Sequence, residues 1–178
     1  MNIIEFCDRH RACEDGREWA LSNCRDMDHA WDVLKPEWLI WVATRNGVLD
    51  ERTLRLFAVW CARQVQHLMA DPRSVAAVDV AERFANGEAT ADELTAARAA
   101  AEAAAWAAAR AAAGAAAWAA ADAAAWAPEA AARAARAADA AAVDAADAEA
   151  VRAAWAESEK RQAGWLRANA KPSWEAKP

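Results

Sequence analysis

Tyrosine is absent from this chain of 178 residues, and glycine and proline number only five each. With so little turn chemistry, a many-stranded sheet and its frequent reversals are excluded. Also missing are a glycine-rich phosphate loop, a Gly-x-Ser-x-Gly elbow and any paired-carboxylate motif. No catalytic constellation is left, so the protein is expected not to be an enzyme and to need no cofactor. A net charge of −6 argues against general binding to nucleic acid or an anionic membrane, either of which wants a clustered positive surface. The N-terminal stretch has no basic leader followed by an apolar run, so no secretory signal is expected. That points to a cytoplasmic location, where Cys7, Cys13, Cys24 and Cys61 stay reduced.

What the chain has in excess is alanine and tryptophan. From Ala96 to Ala150, 38 of 55 residues are alanine, and there are eleven tryptophans in all. Alanine has the highest helix propensity of any residue, yet each one removes little area from water. Packing volume must therefore come from the indoles and a modest set of Leu, Ile, Val and Met. Between Leu94 and Trp126 the non-alanine residues keep a beat of four: Leu94, Arg98, Glu102, Trp106, Arg110, Gly114, Trp118, Asp122, Trp126, with Thr95 the one exception. A helix repeats every 3.6 residues, so each beat turns the decorated position by roughly 40°. The bulky groups wind around the cylinder and cannot all face one core. Arg98, Glu102, Arg110 and Asp122 interrupt the tract at short intervals and oppose insertion into a bilayer.

The first half reads as short helices. Asp15 and Gly16 open one carrying Trp19, and Asp28 is a candidate N-cap for His29 to Leu34. Pro36 suits the first position of a helix over Glu37 to Thr44, whose sequence is apolar nearly all round and marks it as buried on several sides. Asp50 caps an amphipathic helix from Glu51 to Met69, with Leu54, Phe57, Cys61, Val65 and Leu68 on one stripe and Arg52, Arg55, Arg63 and Gln66 largely opposite. Asp71-Pro72 opens the next helix, with Ala77, Val80, Ala81 and Phe84 facing inward. Gly87 ends it, and Thr90 with Glu93 forms a capping box for the alanine helix. Pro128 is expected to end or kink that helix. The expected architecture is all-α: an N-terminal bundle of short helices over 1–88, a long antiparallel alanine-rich hairpin over 89–168 packed on it, and a tail over 169–178 that reads as loose unless Trp174 pins it.

From Cys61 to about Ala109 the pattern resembles the Imm5-like immunity proteins of bacterial and phage genomes. The residues that carry this are Cys61-Ala62 on a helix, Asp71 and Arg73, Ala85-Asn86-Gly87-Glu88, then Glu93, Ala97 and Arg98. Leu34 to Trp41 is similar to phage-encoded members with a tryptophan-rich first half. The resemblance covers about half the chain and implies a non-catalytic protein that neutralises a toxin or a host-defence component by binding it, in the host cytoplasm if phage-encoded. It brings no established ligand residues.

Candidate contact residues come from the chain itself. Arg63, His67, Asp71 and Arg73 cluster about an interhelix turn, where arginine's planar fork suits phosphate or carboxylate; a solvated helix end is the plainer explanation. Trp60 lies on a flank of its helix. Trp106 and Arg110 are four apart and could stack as a cation–π pair. The winding indoles either fill gaps beside different neighbours, a second subunit included, or form an aromatic wall for a partner. Trp60, Arg63, His67, Arg73, Arg98, Trp106 and Arg110 are thus the expected binding residues. Three functions remain open. One is blocking of a protein partner. Another is a phage anti-defence sponge that holds a small nucleotide signal between Trp and Arg. The third is a structural module that self-associates as a homo-oligomer. Cys7, His10, Cys13 and Cys24 supply enough donors for zinc but lack paired CxxC knuckles, and ordinary burial of the thiols is the simpler reading.

Overall fold

The computed structural model describes residues 1–108, 118, 121–123, 133–135 and 148–175, and every regular element among them is helical. In chain order these are α1 (Ile3–His10), α2 (Glu14–Asn23), α3 (Met27–Val33), α4 (Pro36–Ala43), α5 (Glu51–Gln64), a 3-10 turn (Gln66–Leu68), α6 (Pro72–Ala85), α7 (Ala91–Ala108) and α8 (Ala148–Asn169). No helix among the described residues is long and apolar enough to cross a membrane.

Local chemistry sets most of the boundaries. Asp50 accepts from the Thr53 N–H, and Asp71 from the Arg73 N–H, at the starts of α5 and α6. The Thr90–Glu93 box is closed in both directions, at 2.7 and 3.2 Å. Gly87 has φ +77°, the left-handed conformation that ends a helix without a side-chain penalty. α3 starts two residues earlier than expected, because Asp26 rather than Asp28 accepts from the His29 N–H. α2 begins at Glu14 with Cys13 at the cap position, which no side-chain bond closes. α5 ends at Gln64, and the 3-10 turn takes up Gln66–Leu68.

α8 lies against α4 and α5, α5 against α6, and α6 against α7. The main core joins Phe6, Trp31, Leu39, Leu54, Phe57 and Leu166, residues from α1, α3, α4, α5 and α8. Phe57 and Trp60 of α5 meet Trp165 of α8 at ring-centroid distances of 5.5 and 6.2 Å. Arg167 reaches back to the end of α3, donating to the Trp31 and Leu34 carbonyls at 3.2 and 2.6 Å. Those carbonyls are orphaned at a helix terminus and need such a donor. After α8 the chain is pinned at Ser173 and Trp174 rather than loose. Trp174 packs edge-on to Phe6 and Trp31 and donates to Asp28 at 2.7 Å, while the Ser173 N–H donates to the Val48 carbonyl.

Arg55 departs from the sequence expectation. Its position is inward, 4% exposed, with the guanidinium over the Phe84 ring at 5.0 Å and bonded to Glu51 at 3.4 Å. Burial lowers its pKa, against the opposing pull of Glu51. Val80 and Phe84 of α6 are half-buried, whereas Ser74, Ala77, Val78 and Ala81 form its inner face.

The Ser74 hydroxyl is fully buried and has no hydrogen-bond partner among the described residues. A buried hydroxyl left unpaired costs desolvation energy without return. Ser74→Ala is expected to leave the fold intact and raise stability by up to about 1 kcal/mol, read as a higher urea midpoint at unchanged slope.

Along α7 the winding takes its bulky groups out of the core. Leu94 is buried, Arg98 is exposed and ion-paired to Glu102 at 2.8 Å, and Trp106 is 70% exposed. As these turn away, Ala101, Ala104 and Ala105 take over the inner face. Ala101 packs with Ala77 of α6 and with Ala121 in a second, alanine-built cluster, against which Ala97 and Trp118 are half-buried.

Candidate functional site

The structure does not gather the expected binding residues into one site. Trp60 is half-buried against Trp165, a packing role. Arg63 donates to Asp79 at 2.8 Å, Glu82 at 2.6 Å and Gln66 at 2.8 Å, so two carboxylates of α6 already hold its fork. Burial alone would lower its pKa, but these bonds outweigh it and the pKa is raised. Arg98 is held by Glu102 one turn on. His67 is exposed on the 3-10 turn. Arg110 lies outside the described residues, and with it the expected stack on Trp106.

Arg73 grips Asp71 through several bonds, the shortest 2.6 Å. Those bonds hold the Asp71 carboxyl at about 2, below its ordinary 3.8. Because the folded pKa is depressed, the pair's contribution is complete above the ordinary value and is lost as pH falls through about 2. Arg73 is exposed and Asp71 only half-buried, so solvent screening keeps that contribution small. Arg73→Gln is expected to return the Asp71 titration midpoint, followed by carboxyl NMR, toward 3.8.

Among the described residues, two features stand out as candidate contact sites. One is on α7, where the bare Trp106 ring meets Trp118 edge-on at 5.4 Å and 81°. Trp155 of α8 is also exposed, at 46%. The other is an apolar cavity of about 430 Å3 between α1, α2, α3 and α4, walled by Phe6, Cys7, Met27, Leu34, Trp38 and Trp41. The cavity is not among the expected sites, because no helix is expected over residues 3–10. The signal was present, since Asn2 and Glu5 form a reciprocal capping box of the type that marks a helix start.

The described residues contain no cluster of three or more His, Cys, Asp or Glu able to hold a metal. Cys7 and Cys24 are buried and Cys13 is exposed, and none of the three is in a disulfide. Burial pushes the Cys7 thiol up, away from the thiolate that a metal or a nucleophilic step would use. Burial, then Arg45 and Arg9, lowers the His10 pKa, and its ring lies 4.5 Å from Phe6. No family model matches the chain, and no curated protein or solved structure matches it.

Proposed function

We propose that this is a non-catalytic helical binding protein of immunity type, which neutralises a toxin or host-defence protein by covering it. The observation that carries the reading is Trp106, 70% exposed and braced edge-on by Trp118. Indoles are costly to leave in water and dominate the energetics of protein interfaces. The brace fixes the ring before contact, which lowers the ordering cost of binding. The sequence likeness to Imm5-like immunity proteins agrees with this role. In this reading an antiparallel alanine-rich hairpin leans on the N-terminal bundle, and its outer face is the contact surface. Arg133 bonded to Asp122 at 2.7 Å and Gln162 donating to the Ala135 carbonyl at 3.4 Å both support such a return of the chain. The protein acts in the cytoplasm.

The nucleotide-sponge alternative draws less support, since Arg63, Arg73 and Arg98 are already engaged by carboxylates. An entering phosphate would have to displace them.

Trp106→Ala removes an exposed ring and is expected to leave thermal stability within about 0.5 kcal/mol. The same change should weaken capture of a host protein more than tenfold, or ~1.4 kcal/mol. A pull-down comparing the two proteins reads both results. Equal capture by Trp106→Ala, or no protein recovered by the unaltered chain, would overturn the proposal. Saturable heat with cyclic or ADP-ribose nucleotides would favour the sponge, and a dimeric mass lost in Trp106→Ala would favour self-association.

A further inference from the structure

We infer that the cavity between α1, α2, α3 and α4 is a binding site for a small apolar zwitterion, a hydrophobic α-amino acid. This is independent of the Trp106 surface.

The cavity exists because small residues face large ones. Ala12, Gly16, Ala20 and Ala30 line it opposite Phe6, Met27, Trp38 and Trp41. Gly16 is the third residue of α2, where no left-handed backbone calls for glycine. Its environment explains it. A Cβ there would stand 3.2 Å from the Cys13 Sγ and 3.8 Å from the Trp38 ring. Both neighbours are cavity walls, so glycine keeps the space open.

The volume of about 430 Å3 is roughly three times that of an apolar cavity that takes up benzene. At the ~30 Å3 that a water-sized group occupies in a liquid, it has room for on the order of fourteen non-hydrogen atoms. That suits an aromatic or large aliphatic amino acid. Aromatic rings, a thioether and thiols make the walls soft and flat-faced, and such walls favour an apolar side chain.

The charges at the cavity select the polar end. Arg11 and Glu37 are its charged lining residues, both exposed. Neither is in an ion pair or a side-chain hydrogen bond among the described residues, unlike the neighbouring Arg17, which is tied to Asp8. A guanidinium and a carboxylate that both line the cavity and lack other side-chain partners complement an α-carboxylate and an α-ammonium, while the side chain enters the walls. A plain carboxylate would satisfy Arg11 but meet Glu37 as a like charge. A plain amine would do the reverse.

Arg11 also adopts φ +52°, and it is the only non-glycine with positive φ among the described residues. It stands at the left-handed C-cap of α1, a place where glycine is ordinarily preferred. Local structure therefore does not ask for arginine. It also makes the test clean, because Arg11→Gly removes the guanidinium and suits the backbone.

Calorimetry of the full chain with L-phenylalanine, 3-phenylpropionate, phenethylamine and toluene tests the assignment. L-Phenylalanine is expected to give saturable heat, with each of the other three about tenfold weaker or worse, the ~1.4 kcal/mol of one charged contact. Arg11→Gly should keep or raise the melting temperature and bring L-phenylalanine down to the phenethylamine level. Glu37→Gln should bring it down to the level of 3-phenylpropionate. Ala20→Leu, which fills the cavity, should abolish binding while the protein remains folded. Absence of saturable heat with L-phenylalanine overturns the assignment. So does toluene or 3-phenylpropionate binding as tightly, or unaltered L-phenylalanine affinity in Arg11→Gly.

Discussion

Replacing Phe57 with alanine is expected to remove about 3–5 kcal/mol of folding stability, among the largest single losses available at the described residues. Phe57 is fully buried, so the change deletes a complete ring and leaves a void whose walls relax only in part. Its ring is also the contact through which α5 meets Trp165 of α8. The void thus opens between the first half of the chain and its last helix, and Trp60 loses part of its footing on the same indole. Since domains of this size hold only ~5–15 kcal/mol in total, Phe57→Ala is expected to be partly unfolded near physiological temperature. Urea unfolding followed by circular dichroism would check this. A midpoint shift equivalent to less than about 1 kcal/mol would mean that the Phe57 ring contributes little to holding α5 on α8.

Ala101→Leu is the second large effect, and its direction runs against composition. Leucine is nearly as good a helix former as alanine and more hydrophobic, so sequence scales alone call the change neutral or helpful. Ala101 is fully buried where α7 meets Ala77 of α6, itself fully buried. Small residues set helix spacing at the short end of the usual ~8–10 Å range. An isobutyl group there must push the helices apart or go off-rotamer, at about 1–3 kcal/mol and occasionally more. Ala103→Leu, on the exposed side of the same helix, is the matched control and should be near neutral. Equal stability of the two variants in thermal melts would refute close α6–α7 packing.

Much of the helical order was legible because caps are local chemistry. Asp50, Asp71, Thr90–Glu93 and Gly87 each act within a few residues of themselves, and each stands where its type predicts. The choice of Asp26 over Asp28 shows the resolution of that logic, since two aspartates of equal capping ability lie two residues apart. Arg55 lies inward for a reason its own helix does not carry. Its charge suggests solvent, and its burial depends on Phe84 arriving from α6, which α5's own periodicity cannot reveal. The candidate site was least legible. Arg63 looked available because its partners Asp79 and Glu82 belong to another helix. The cavity was hidden because it is a space among four elements, and a space leaves no motif. Four-residue spacing on a 3.6-residue helix says only that the indoles cannot share one core, leaving gap-filling and exposure both open; Trp106 is the exposed one.

The return of α8 onto α4, and of Trp174 onto Asp28, has a consequence for biosynthesis. The apolar α4 leaves the ribosome about a hundred residues ahead of its covering helix, from Ala43 to Ala148. At ordinary translation speeds of ~5–20 residues per second, the nascent chain carries that unsatisfied face for roughly 5–20 s. A stop codon placed before Ala148 would make the exposure permanent and send the shortened polypeptide toward aggregation or chaperones.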